Sequence, residues 1–521
     1  MVRVESCLFG LEPCPVRLGL GFLGRHFPLA CGQCLCVGVL AEIRSLYAVV
    51  RLLLPPHPGD VLGSLAPAPD GHRDDEHDDD RHYDDPDDDP DPGIHDLLQF
   101  LGGVPTQRDI SARRDLNGKV RCYQQAPERS PDRYRGRMGV LTNEEVTDRL
   151  RPHVGTDAVG LTWLIRTGGE VLSGALGSRD RAGAEPLDTH EIFRISSLTK
   201  PVTAVGALIL VADGVLTLDD PIETSLPELA DRRVLPTPGA ELEDTVPAER
   251  AATVRDLLTS TLGWGMDFTD FSPTPLARRW SELSLGDGPP SPGEQLPADQ
   301  WLARAGTLPL QYQPGQRWLY NTSSVVLGIL IARVSGGSLS DFLTERIFAP
   351  LGMADTGFWV PPEKHSRFGP CYGAGETVYD PPEGQWSAPP SLEGGDGGLV
   401  STVADYARFA KLLQGRGSVD GHRILPAELV HAMVTNRLTA QQLRDSRPDP
   451  GSGWGFGLGV VLTAPEEGPG AGSYGWFGGL GSSWSNDPAT CRTGVLLTNQ
   501  MWTSPEPPGV VAAFEELLGR R

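Results

Sequence analysis

An α+β fold, one antiparallel sheet drawn from both ends of a domain with helices between, is what this chain predicts. Two observations lead there. A strand–turn–strand signal stands near residue 160, and a run of strand signals fills 454–498. Between them lie segments of helical periodicity set in Pro- and Gly-rich connections, so the sheet has to join the two ends.

In order along the chain, Asn143-Glu144-Glu145-Val146 opens a short helix with carboxylates at its positive end. Val159 to Arg166 (VGLTWLIR) reads as a strand, Thr167-Gly168-Gly169-Glu170 as a hairpin turn, and Val171 to Leu176 as the return. Val202 to Asp213 is a helix, apolar at 205, 208, 209 and 212 and closed by Gly214. Pro201 is tolerated only in its first turn, which places Ser197 at the helix start, where backbone N–H groups are free and carry partial positive charge. Further helices are expected at 254–259, 324–335 and 340–348, strands at 454–462, 473–477, 482–485 and 493–498, and a last helix at 510–518.

Composition separates this region from what precedes it. The 521 residues are 39% hydrophobic, ample for a large core, and the net charge of −23 argues against nucleic-acid binding. Twelve carboxylates crowd Asp74 to Asp91, a self-repelling block. Residues 1–137 therefore read as a low-complexity, disordered leader and 138–521 as the folded domain, with Met138 as an alternative initiator. Six of eight cysteines precede residue 138; Cys31-x-x-Cys34-x-Cys36 hints at a metal site but lacks a second pair, and His77 and His82 among the aspartates suggest only weak cation binding. No metal or cofactor is expected. Neither a membrane span nor an export signal stands out, which leaves a cytoplasmic expectation and an open oligomeric state.

The chemistry concentrates at Ser197-Leu198-Thr199-Lys200. Residues three apart share a helix face, so an amine is delivered beside a serine hydroxyl that is a weak nucleophile without a base. The chain has four lysines (119, 200, 364 and 411), and only Lys200 follows a serine at this spacing. Two later segments align with it in order: Pro314-Gly315-x-x-Trp318-Leu319-Tyr320-Asn321-Thr322, and Tyr474-Gly475-Trp476-Phe477-Gly478-Gly479-Leu480-Gly481.

Over roughly residues 140–520 this arrangement resembles the serine beta-lactamase and penicillin-binding-protein superfamily, and most of all its family VIII carboxylesterases. Val254-Arg255-Asp256-Leu257-Leu258-Thr259, Gly397-Gly398-Leu399-x-Ser401-Thr402 and Gly453-Trp454-Gly455-Phe456-Gly457 match as well. The resemblance implies a beta-lactamase/DD-peptidase-like fold with a helical lobe, and an acyl-enzyme formed on Ser197. Lys200 as the neutral amine would take the serine proton, and Tyr320 would relay a proton to the leaving group. The backbone N–H groups of Ser197 and Gly479 would form the oxyanion hole. Trp476, Gly478, Asn321 and Thr322 would contact a small ester or amide substrate.

Two departures bear on the substrate. Thr322 holds the place of the usual asparagine, and Asn321 follows the tyrosine directly. The third motif begins with Trp476 where a carboxylate-binding cation is common, so an apolar wall and uncharged esters are favoured over beta-lactams or D-amino-acid peptides. A silent binding module on the same fold is the remaining alternative. Ala471-Gly472-Ser473-Tyr474-Gly475 imitates a nucleophile elbow but precedes a strand, not a helix, so Ser473 is set aside. The loop Gly394-Gly395-Asp396-Gly397-Gly398 reads as a flexible edge near the site.

Overall fold

The computed structural model describes residues 141–519, apart from 184, 287, 376, 447–450, 463–469 and 505. The leader, its cysteines, the aspartate block and Met138 lie outside the described residues.

Helix α1 (Asn143–Leu150) starts on a capping box, Thr142 and Glu145 each satisfying the other's backbone N–H. The hairpin β1 (Gly160–Thr167) and β2 (Glu170–Gly177) follows. Helix α2 (Thr199–Ala212) runs on from a single 3-10 turn, Ser196–Leu198, that carries the serine. Helix α3 (Thr322–Ser335) begins directly after Asn321, and α4 (Val403–Gln414) is capped by Thr402. Strands β3 (Ser452–Trp454), β4 (Gly459–Val461), β5 (Tyr474–Gly478), β6 (Ser482–Asp487) and β7 (Arg492–Thr498) lead to the final helix α5 (Gly509–Leu517).

The seven strands form one antiparallel sheet in the order β3-β4-β5-β6-β7-β1-β2. The last strand and the first thus pair inside the sheet, one strand from its edge, with Leu164 opposite Val495, as the α+β expectation required. Side chains alternate along β1 and β7. Leu161, Trp163, Ile165 and Leu496 pack under α1 and α5 with Val510 and Phe514, whereas Leu164, Val495 and Leu497 join the larger core built around α2, α3 and α4. Twelve of the fourteen residues of α2 are buried, so this helix is apolar all round and is held as the spine of the helical lobe.

One expected strand divides. In place of a strand over 454–462 there are two short ones, Ser452–Trp454 and Gly459–Val461, because Gly457 takes φ +73° and turns the chain between them. The turn lies against α2: a β-carbon on Gly457 would come within 2.9 Å of the Lys200 carbonyl oxygen. The sheet edge is thereby fitted to the helix that carries the lysine.

Candidate active site

The site is assembled from the start of α2, the segment before α3, the end of β5 and the loop 394–398. The turn holding Ser197 is braced from several sides. Phe193–Arg194 pairs with Val400–Ser401. Arg194, 4% exposed, donates from Nε to Asp380 at 2.7 Å, and to the carbonyls of Gly369 and Pro381 at 2.8 and 3.1 Å. Burial pushes its guanidinium below the ordinary arginine value while Asp380 opposes that. Thr199 Oγ1 donates to the Ser196 carbonyl at 2.7 Å, and the Tyr406 hydroxyl donates to the Leu198 carbonyl at 2.9 Å. Full burial holds the Tyr406 phenol well above its usual range. Ser196 itself has φ +47°, a left-handed value at the residue just before the nucleophile candidate.

Lys200 Nζ lies 3.0 Å from Ser197 Oγ. It also donates to Asn321 Oδ1 and to the Asp396 carbonyl, each at 2.7 Å. Its fourth neighbour is the Tyr320 ring, whose centroid is 4.4 Å from the nitrogen. Lys200 is 1% exposed and Ser197 9%, so both side chains belong to buried residues. An amine at this distance from a serine hydroxyl is the arrangement that nucleophile activation needs.

Tyr320 is fixed through its backbone by a mutual pair of hydrogen bonds with Met266, both 2.9 Å. Its hydroxyl accepts from Trp476 Nε1 at 2.9 Å. Around these two rings stand Phe268, centroid 5.1 Å from Tyr320, and Trp454, centroid 4.7 Å from Trp476 and nearly perpendicular to it. Phe271, 71% exposed, lies next to Phe268 at the rim. Phe268 and Phe271 gave no signal of a site in the sequence; Trp318 did, through the segment it shares with Tyr320, and Trp454 did, through its Gly-Trp-Gly-Phe-Gly setting.

The remaining expected residues fall as follows. Gly478 ends β5 against the Ser196 turn: a β-carbon there would overlap Ser482 Oγ and the Ile195 carbonyl oxygen, so its space is filled by packing. Gly479, next along, has no atom within 4 Å of a β-carbon position. Among the described residues neither the Ser197 N–H nor the Gly479 N–H donates to a protein acceptor. Asn321, expected among the substrate contacts, has its side-chain oxygen on Lys200, and Thr322 is buried at the first position of α3. The glycine loop is a packed turn, not a loose edge: Gly394 O accepts from Gly398 N at 2.9 Å, and a β-carbon on Gly395 would meet the Ser324 carbonyl oxygen at 2.6 Å. Sequence reasoning missed the Asp396 carbonyl as a lysine partner. Ser473 is buried at the entry to β5.

Comparison with known proteins follows the same frame. The family model described as Beta-lactamase matches residues 146–513. Esterase EstB of Burkholderia gladioli is 30% identical over 386 residues, covering 70% of this chain and 91% of its own. Protein Rv1367c of Mycobacterium tuberculosis is 39% identical over 329 residues, 60% of this chain and 79% of its own. The solved structure of EstCE1, titled a hydrolase with promiscuous acyltransferase activity, superposes with a TM-score of 0.58 at 23% identity, covering 72% of this chain and 99% of that one. With an antiparallel sheet in which the first and last strands pair, and a Ser-x-x-Lys at the head of the buried helix, the chain belongs to the beta-lactamase family of serine hydrolases.

Proposed function

We propose that the protein hydrolyses carboxylic esters with apolar substituents through an acyl-enzyme on Ser197. The observation that carries this reading is the buried Lys200 amine 3.0 Å from Ser197 Oγ, with only neutral oxygens as its hydrogen-bond partners. The neutral amine takes the hydroxyl proton as Oγ bonds to the ester carbonyl carbon. The carbonyl oxygen becomes an oxyanion facing the N–H groups of Ser197 and Gly479, each such donor contributing on the order of 3 kcal/mol. The C–O bond to the alcohol then breaks, and the alcohol leaves with a proton delivered through Tyr320. Water, relieved of a proton by the same groups, attacks the acyl-enzyme and returns free Ser197 and the acid.

The substrate class follows from the wall around Tyr320. Trp476 holds the phenol oxygen, and Phe268 and Trp454 complete a surface that is aromatic where a substrate carboxylate would need a cation. That favours uncharged esters over beta-lactams, and likeness to an esterase over most of its length supports the choice. The test is a chain-length series of p-nitrophenyl esters beside nitrocefin, with wild type and Ser197→Ala. Ester turnover lost in the variant, with its fold intact, is expected. Nitrocefin cleaved faster than any ester, or esters cleaved equally by the variant, refutes the reading.

A further inference from the structure

Phe271 is the most solvent-exposed large apolar side chain among the described residues, at 71%, and it stands beside the site. The loop beneath it is firmly built. Met266 is tied to Tyr320 by backbone hydrogen bonds in both directions, each 2.9 Å. The buried Asp267 pairs with Arg317, whose Nε lies 3.0 Å from Oδ2, and its other oxygen accepts from Thr269 N and Oγ1 at 2.9 and 2.6 Å. Arg317 Nη2 also donates to Thr269 Oγ1 at 2.6 Å. The segment that carries Tyr320 therefore holds this loop at two points. A phenylalanine kept in water on a fixed loop forfeits its burial free energy until something apolar covers it, and little ordering is lost when that happens.

The rings continue outward from Tyr320 in steps. Phe268 lies 5.1 Å from Tyr320, centroid to centroid, and Phe271 lies 6.3 Å from Phe268. Both separations fall where aromatic pairs attract, so a flat ring set against Phe271 extends the series. In the proposed ester hydrolysis, on which this inference rests, Tyr320 gives a proton to the leaving alcohol. The alcohol oxygen then sits at the Tyr320 hydroxyl, and the group attached to it runs along the rings packed beside Tyr320. The acyl chain starts from the other side of the bond that breaks. We infer that Phe268 and Phe271 form the subsite for the alcohol part of the ester, and that this part is a flat, uncharged group of fused rings. One ring covers Phe268 and the next reaches Phe271, whereas a one- or two-carbon alcohol stops short of both. Asp270, its carboxylate on Ser272 N at 2.8 Å, puts a negative charge beside Phe271 and selects against an anionic alcohol.

The experiment measures kcat/KM by pH-stat for ethyl, benzyl and 2-naphthylmethyl butyrate, whose alcohols are of similar acidity, with ethyl 2-naphthylacetate as the acyl counterpart. The full chain is used as wild type, Phe271→Ala and Phe271→Trp, with Val215→Ala, exposed elsewhere, as control and Ser197→Ala as blank. In wild type kcat/KM rises about tenfold or more from the ethyl to the 2-naphthylmethyl ester. Phe271→Ala cuts that ratio about fivefold or more, Phe271→Trp restores it, and Val215→Ala leaves it as in wild type. The ratio of ethyl 2-naphthylacetate to ethyl butyrate stays the same in Phe271→Ala. A readout independent of turnover is the protection of Ser197 from a fluorophosphonate by 2-naphthylmethanol, which Phe271→Ala weakens. Where esters are turned over, a naphthylmethyl ratio that Phe271→Ala leaves unchanged, or a loss confined to the acyl pair, overturns the inference alone. Where Ser197 is labelled but esters are not turned over, the ester reading falls, and protection that Phe271→Ala weakens still supports a fused-ring subsite at Phe271. Without that protection, or with wild type that neither turns over esters nor takes the label, both fall.

Discussion

Gly478→Ala tests how closely the end of β5 must approach the serine turn. The new methyl overlaps two atoms, Ser482 Oγ and the Ile195 carbonyl oxygen, and touches Ser196 Cβ at 3.2 Å. The serine can rotate away, at the cost of its 2.7 Å hydrogen bond to Ile195, about 1 kcal/mol. The carbonyl cannot: Ile195 is held by its own N–H on Leu399 O at 3.0 Å, and its oxygen accepts from Leu198 N at 3.1 Å. The strand therefore has to move, adding an overpacking cost of about 1–3 kcal/mol. On the proposed mechanism a shift of that kind displaces the Gly479 N–H from the oxyanion, and loss of one such donor lowers kcat by about 10²–10³. Urea denaturation and p-nitrophenyl butyrate kinetics measure the two effects, with Gly479→Ala as control. Its β-carbon meets nothing within 4 Å, so its stability stays within about 0.5 kcal/mol of wild type. Wild-type stability and turnover in Gly478→Ala refute the argument.

Tyr320→Phe keeps the ring against Lys200 but removes the phenol oxygen that Trp476 holds, so kcat falls about 10²–10⁴-fold with the fold intact; steady-state kinetics beside a thermal melt check this. Asp380→Asn strands the buried Arg194 guanidinium and destabilises the protein by about 3–5 kcal/mol in urea unfolding, with serine labelling lost earlier in the transition than bulk structure. Asp355 is held down to about 2, chiefly by its hydrogen bonds from Arg367 and further by Lys364. Its folded value lies below the ordinary carboxylate value of about 4, so its stabilising effect is complete above that pH and is lost as pH falls through about 2. Asp355→Asn removes that part of the acid dependence of the urea midpoint. Burial pushes the Cys371 thiol up to about 11, so peptide mapping after iodoacetamide treatment at pH 8 finds it unmodified until denaturant is added.

Much of the frame was legible because its punctuation is local. Pro201 and Gly214 bracket the helix of the lysine, and the spacing of Ser197 to Lys200 needs only one helical turn to become a contact. The closure of the sheet by its two ends followed from where the strand signals lie. What stayed hidden depends on conformation or on backbone atoms. Gly457 divides an apolar run by its positive φ, which composition alone does not report. A γ-turn at Asn321, φ +81° and ψ −65°, reverses the sense of a side chain without changing the pattern of residue types. The Asp396 oxygen that receives Lys200 is a main-chain atom, and any residue there would supply one. The aromatic wall unites Phe268, the Trp318–Tyr320 segment, Trp454 and Trp476 from distant parts of the chain, and each ring alone reads as ordinary core.

The placement of backbone strain ties these points together. Ser196 and Asn321 are both non-glycine residues at positive φ, one preceding the serine and the other contacting the lysine, and each such residue costs on the order of 1–3 kcal/mol. Neither conformation persists on its own. Ser196 is held by Thr199 Oγ1 on its carbonyl and by the strand pairing of Phe193–Arg194; Asn321 sits between the Tyr320–Met266 pair and α3. The stabilisation that offsets them comes from the large core around α2, where a fully buried leucine contributes about 1.5–3 kcal/mol. A hydroxyl, an amine and an amide are thereby kept in one arrangement before any substrate arrives. On the proposed mechanism that preorganisation is what a proton transfer from Ser197 to Lys200 would require, since an amine free to rotate would offer its N–H bonds to the hydroxyl as readily as its lone pair.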